Sequence, residues 1–159
     1  MINIKLDEVD KQILDILIDN ARTPYTDIAK TLIISPGTVH VRVKKMEDAG
    51  VIKGSSLVLN YDKLGYPFIA HVGIFVNNTR DINRVLKEIN EIPFVTVASI
   101  VSGSFNIFCK IRAIDSKHAR ELIFQIENVE GVYRSETMIT LEECINDKKR
   151  LMHTILKDL

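Results

Sequence analysis

The spacing of apolar residues changes character once along this chain, at Gly50, and a chain whose hydrophobic period changes cannot close around a single kind of layer. Before that glycine the apolar residues recur three and four apart; beyond it, extended apolar runs are interleaved with helical ones. The stretch that ends at the change, SPGTVHVRVKKMEDAG over 35–50, is the most sharply punctuated in the sequence. Ser35 is a capping residue, Pro36 sits at the first helical position where its missing N–H costs nothing, and Gly50 can take positive φ just past the helix end. Val39, Val43 and Met46 form an inward stripe, whereas Thr38, His40, Arg42, Lys44 and Lys45 point elsewhere.

The segment before it, 25–32, is a second short helical pattern carrying Tyr25, Ile28, Ala29 and Leu32, and only Ile33 and Ile34 separate it from Ser35. A first helix opens at Asp7, with Val9, Ile13, Ile16 and Leu17 on one face, and is broken by Asn20-Ala21-Arg22-Thr23-Pro24. Three such helices close a core of about 50 residues, the low end of independent domain size. Helix, tight turn, basic helix is the helix-turn-helix layout, whose second helix enters the major groove of DNA. In that use Ser35, Gly37, Thr38, His40 and Val41 face base edges and backbone near the helix start, with Arg42, Lys44 and Lys45 on phosphate or base. A solvated basic face on an ordinary helical unit has the same pattern.

Charge enters here because it fails to decide the partner. Lysines plus arginines equal aspartates plus glutamates, 21 of each in 159 residues, so attraction to nucleic acid has to come from local clustering. Residues 35–46 hold three cations and no acid, while the first helix carries Asp7, Glu8, Asp10, Asp15 and Asp19. The two cysteines, Cys109 and Cys144, have no pairing pattern and read as reduced thiols of a cytosolic chain. No basic-then-apolar leader and no apolar run near 20 residues is present, so neither secretion nor a membrane span is expected.

After Gly50, 51–54 and 57–59 read as extended segments, a wing and a linker strand, and a turn-rich 60–67 follows. The second half then repeats itself: strand 68–76, helix 80–92, strand 94–101, strand 106–113, helix 116–129, strand 131–141. Both helices place apolar residues at i, i+3, i+4 and i+7, namely Ile82, Val85, Leu86, Ile89 and Ala119, Leu122, Ile123, Ile126. Two right-handed strand-helix-strand units in series give a four-stranded antiparallel sheet with both helices on one side, the βαββαβ ferredoxin-like arrangement. The expected class is α+β, with units at 1–53 and 68–142, a hinge at 54–67 and a tail at 143–159 that reads as a short helix against a dimer or as loosely ordered chain. Because the strands are apolar on both faces, the uncovered face calls for a partner, most simply a second copy.

The loop joining the middle strands, Ser102-Gly103-Ser104-Phe105-Asn106, offers backbone N–H groups that suit a carboxylate or amide, although its residues are also those of a plain turn. Ser135, Glu136 and Thr137 supply a second polar wall on the last strand. His40, His71, His118 and His153 lie in four different segments, no metal-ligand spacing occurs, and no nucleophile elbow or phosphate loop is present, so neither a metal nor a cofactor nor an enzyme is expected.

These residues resemble the Lrp/AsnC, or feast-famine, transcription regulators over nearly the whole chain. The resemblance rests on Leu6-Asp7 with Asp10 and Ile13-Leu14, Asn20-Ala21-Arg22, Ile28-Ala29, Ser35 with Arg42-Val43 and Met46, Gly50-Val51-Ile52, and Leu64-Gly65-Tyr66. Within the family, 35–46, the run GSFNIFCK over 103–110 and 135–137 are most similar to the asparagine-sensing branch. The resemblance implies a winged helix-turn-helix domain for double-stranded DNA and an effector domain. It also implies homodimers paired through their sheets, octamers built from them, and a small amino acid bound between dimers at Ser102, Gly103, Ser104, Asn106, Ser135, Glu136 and Thr137. Many relatives carry acids at the positions of Ser104 and Asn106, so their absence argues against a cationic effector such as lysine. An architectural DNA-binding protein that uses its second domain only to oligomerise, and a small-molecule-binding subunit of an enzyme, remain the alternatives.

Overall fold

A computed structural model describes residues 5–159, so the first four positions of the expected 1–53 unit lie outside the described residues. The chain forms two compact units, 1–58 with 145–159, and 59–144.

The first unit is helical. Helix α1 (Glu8–Asp19) starts at a reciprocal cap: the Asp10 N–H donates to Asp7 Oδ1 at 2.9 Å and the Asp7 N–H to Asp10 Oδ2 at 3.2 Å. Helix α2 (Tyr25–Leu32) begins after Pro24 with no side-chain cap, and α3 (Pro36–Asp48) begins at Ser35, whose Oγ accepts the Thr38 N–H at 3.0 Å. Ile13, Leu14, Ile28, Ala29, Val39, Val43 and Met46 form the buried core between them. Gly50 takes φ 72° past the end of α3, which lets the Val51 and Ile52 N–H groups bond the Met46 carbonyl.

One expectation fails here. The wing and linker strand at 51–54 and 57–59 are not strands: neither stretch has a neighbouring strand to bond, and Val58 stands 98% exposed. Of the two readings of 143–159, a short helix forms over Lys148–Asp158. This helix, α6, lies on α1, with Leu156 packed on the helical core and the Lys149 ammonium donating to the Asp19 carbonyl at 2.6 Å. His153 bonds Asp15 through Nδ1 at 2.6 Å and Asp19 through Nε2 at 3.2 Å.

The turn between α2 and α3 is strained. Ile33 has φ 55° and ψ 46°, the left-handed region, where a β-branched side chain crowds the backbone. That conformation lets the Ile34 N–H reach the Ala29 carbonyl at 3.0 Å and turns the chain sharply into Ser35. The Ile33 side chain recovers nothing by burial, being 92% exposed.

The second unit is the expected ferredoxin-like arrangement. Strands β1 (Phe68–Val76), β2 (Val95–Ile100), β3 (Ile107–Ala113) and β4 (Val132–Ile139) make one antiparallel sheet in the order β2-β3-β1-β4. Helices α4 (Ile82–Asn90) and α5 (Ser116–Glu127) cover one face. Helix α4 is shorter than 80–92 because Asn78 accepts the Arg80 N–H and winds 79–81 into a 3₁₀ turn. Ala70, Val72, Ile74, Ile107, Cys109 and Ile111 meet Val85, Ile89, Leu122 and Ile126 in its core. Burial pushes the Cys109 thiol up to about 11, so it packs as a small apolar side chain, while Cys144 is exposed. No helix among the described residues is long and apolar enough to cross a membrane.

Two outcomes follow from the helical unit. Ile33→Gly removes about 1–2 kcal/mol of left-handed strain and returns part of it as unfolded-state entropy, so denaturant unfolding should show a net gain of roughly 0.5–1 kcal/mol. For His153, the Asp15 hydrogen bond raises the ring above its ordinary 6.5. Its stabilisation is therefore complete below 6.5 and fades as pH rises through the elevated folded value, so thermal unfolding should weaken across that range in wild type and not in His153→Gln.

Candidate nucleic-acid interface and effector loop

Helix α3 turns by 100° per residue, which sorts its side chains into sectors. Val39, Val43 and Met46 point into the core, and Gly37, Val41 and Lys44 fall on the opposite side, with Thr38 and Lys45 flanking them. His40 lies toward α2, its ring 6.1 Å from that of Tyr25. Thr38 is partly committed, its hydroxyl sitting 2.8 Å from Ser35 Oγ at the cap. Lys44 makes an exposed ion pair with Asp48 at 3.7 Å, and Lys45 is exposed beside Val41. A shallow concavity on this side is lined by Asp7, Ser35, Gly37, Thr38, Val41, Arg42 and Lys45.

Arg42 departs from its expected role. Its Nη1 donates at 2.7 Å to Asp7 Oδ2 and at 2.7 Å to Asp10 Oδ1, using both hydrogens of that nitrogen. The remaining oxygens of the two aspartates are those already closing the α1 cap, so all four carboxylate oxygens are occupied. Asp10 is 1% exposed, a buried anion that Arg42 neutralises. The Arg42 hydrogen bond also holds the Asp7 carboxyl below its usual range. Arg42 thus fixes the roll of α3 against α1, and the spacing Asp7-x-x-Asp10 ahead of an apolar helix was the sequence signal for such a cap.

In the second unit the loop 101–106 crosses from β2 to β3. Asn106 pins it: its N–H donates to the Ile74 carbonyl at 2.9 Å, and its side-chain oxygen accepts the Val76 N–H at 2.8 Å. Phe105 lies directly on Gly73 of β1, where an added Cβ would stand 2.5 Å from the ring. Ahead of these anchors Ser102, Gly103 and Ser104 are exposed, and Gly103 has φ 127° with open space beside it. The β4 residues divide. Ser135 and Thr137 lie on the helix side, where the Ser135 hydroxyl donates to Glu127 at 2.6 Å; Glu136 lies on the open side, opposite Gly73 and paired with Arg134.

The pairing register puts Ile107, Ile74 and Ser135 in one row, so the loop and the β4 residues share an end of the sheet. They are two strand spacings apart, roughly 10 Å. Two participants escaped the sequence reading, Glu127 and Gly73. A glycine inside an apolar strand is the signature of close approach, which here is the Phe105 ring. On the open face His71, Phe75, Phe105, Phe108 and Tyr133 form a chain of ring contacts 5.3–6.0 Å apart, and Arg134 lies over Phe75. Among the described residues no cluster of His, Cys, Asp or Glu could hold a metal ion.

A basic-faced helix-turn-helix unit and a ferredoxin-like unit with a pinned polar loop together define a DNA-binding regulator with a ligand-binding domain. The comparisons agree. Residues 6–53 match a winged helix-turn-helix DNA-binding family, and residues 69–149 match the Lrp/AsnC ligand binding domain. The chain is 36% identical over 148 residues to regulatory protein AsnC of Escherichia coli K12, covering 91% of this chain and 96% of that one. It is 34% identical over 142 residues to the Haemophilus influenzae protein of the same name, covering 88% and 94%. The solved structure of E. coli AsnC superposes with a TM-score of 0.86 at 32% identity, over 91% of this chain and 98% of that one. A Neisseria meningitidis transcriptional regulator in complex with L-Met shares the fold, with a TM-score of 0.85 at 18% identity over 91% and 96% of the two chains. The chain belongs to the Lrp/AsnC family of transcription regulators, and it is not an enzyme.

The commitment of Arg42 separates two kinds of cation on one helix. Arg42→Ala leaves Asp10 buried with one backbone donor and should cost about 2–3 kcal/mol in denaturant unfolding, below the 3–5 of a fully enclosed pair because Arg42 keeps some exposure. In DNA titrations at varied salt, Lys45→Ala should lower the slope of log affinity against log salt by about 1, whereas folded Arg42→Ala should leave it unchanged.

Proposed function

We propose that this regulator responds to a small neutral amino acid, most specifically asparagine, seated at the 101–106 loop between dimers of a higher assembly. The observation that carries the reading is the loop itself. Phe105 and Asn106 pin its C-terminal end to β1 and the Val101 N–H closes its base on the Asn106 carbonyl at 3.2 Å, yet it presents Ser102, Gly103 and Ser104 to solvent with room beside Gly103. A rigid turn of exposed N–H and hydroxyl groups with no carboxylate suits the α-carboxylate and a neutral amide side chain, and leaves a cationic side chain without a partner. The resemblance to the asparagine-sensing branch supplies the choice of amide.

The site of one chain is half a site on this reading. Ser135 and Thr137 stand two strands away from the loop, too far to grip one small amino acid together with it, so a neighbouring copy completes the enclosure. The open sheet face supports pairing, because its ring cluster is a patch that a second identical sheet would cover with two-fold symmetry. Linkage then connects the effector to transcription: an amino acid bound between dimers favours the assembly that holds it, typically by 1–3 kcal/mol, and the assembly sets how many α3 helices reach one stretch of DNA.

Calorimetry of the full chain against the twenty amino acids tests this, with sedimentation to read the assembly. Asparagine should give the dominant heat and shift the mass distribution, and Ser104→Asp should weaken it at least tenfold while leaving unfolding stability unchanged. Equal asparagine heats for both proteins would remove the loop from the site, and a monomer at all concentrations would remove the shared enclosure.

A further inference from the structure

We infer that Val41 reads the 5-methyl group of a thymine in the operator. The inference rests on α3 being the groove-facing helix of the DNA-binding unit, and it concerns what that helix can distinguish there.

The observation is a valine where a solvated helix face would be polar. Val41 is 66% exposed and lies almost diametrically opposite the buried Val39, Val43 and Met46. Its neighbours leave the centre of the face to it. Arg42 is held by Asp7 and Asp10, the Thr38 hydroxyl is partly committed to Ser35, and the exposed His40 ring lies on the flank toward Tyr25. Lys44 and Lys45 remain as flexible point charges, suited to phosphates and poor at discriminating bases. Gly37, one turn before Val41, carries no side chain and lets the helix approach closely. What the middle of this face presents is therefore a branched apolar group lining a shallow concavity, flanked by cations.

Major-groove edges of base pairs are made of hydrogen-bond donors and acceptors, with one apolar exception, the thymine methyl. A valine pressed against any other edge removes water from a donor or acceptor and returns no hydrogen bond. Against the thymine methyl it buries apolar surface on both sides. Selectivity thus arises from penalty as much as from attraction, and it acts at the pair that α3 brings under Val41. A 5-methylcytosine would offer the same methyl beside a donor amine, so the two sources are separable.

The test uses full-length protein to enrich a duplex from a random pool, then measures affinity by fluorescence anisotropy for that duplex with each thymine replaced singly by deoxyuridine. Wild type should lose about fourfold at one thymine position, the worth of one buried methyl. Val41→Ala, an exposed change to a strong helix former, should bind the thymine and uracil duplexes equally there. At that position T·A should bind more tightly than 5-methylcytosine·G. Indifference of wild type to every uracil replacement, the same uracil penalty in Val41→Ala, or preference for 5-methylcytosine·G would each overturn the inference while leaving sequence-specific DNA binding intact. Enrichment of no sequence at all would overturn both.

Discussion

The helical unit depends on one guanidinium nitrogen. Arg42 Nη1 bridges Asp7 and Asp10 at the start of α1, and because those carboxylates also close the α1 cap, the first turn of α1 and the middle of α3 form one hydrogen-bonded piece. The core alone would tolerate some rotation of α3, since Val39, Val43 and Met46 make a narrow stripe against two short helices. A charged bond with two fixed acceptors has no such tolerance. It fixes which side chains face outward, and so places Val41 and Lys45, rather than Arg42, on the outer side. The most cationic residue by chemistry on this helix is spent on geometry, and recognition is left to its less obvious neighbours.

The sheet unit uses a different device for the same purpose. Gly73 opens a place on β1 into which the Phe105 ring settles, and the Asn106 side chain accepts the Val76 N–H just past Ile74, where the pairing with β3 ends. Side chain and backbone together stitch a loop to the middle of a sheet instead of leaving it to hang from two strand ends. Its tip is then rigid at its base and free at Gly103, the combination that preorganises donors without filling the space in front of them.

Legibility followed the locality of the cause. Helices α2 and α3, strand β1 and the repeated strand-helix-strand pattern could be read because caps, Pro36, Gly50 and apolar spacing act within a turn or two of the residue concerned. The 51–54 and 57–59 segments misled because apolar β-formers describe a preference, and a strand exists only where another strand offers bonds. Arg42 misled for a related reason: its partners lie 32 and 35 residues away, and a basic residue beside lysines looks like one more phosphate contact. The loop residues were legible as a polar turn, but the anchoring role of Asn106 was not, since it depends on β1 lying next to β3. Ile33 could not be foreseen either, because its strain comes from a turn that glycine would ordinarily occupy.

Helix α6 alters what counts as the helical unit. The core of α1, α2 and α3 holds seven buried side chains, a small store of apolar burial for a unit that must keep a strained turn at Ile33. Leu156 adds apolar contact to that core, and His153 and Lys149 tie α6 along α1 at Asp15 and Asp19, the acidic side that α1 turns away from α3. Residues near 150 therefore complete a unit whose other parts end near 58. The chain leaves this unit, builds a whole sheet, and comes back to it. The His153 contacts with Asp15 and Asp19 are sensitive to salt and pH where the apolar contact of Leu156 is not. Helix α6 thus touches α1, the same helix whose first turn sets the orientation of α3.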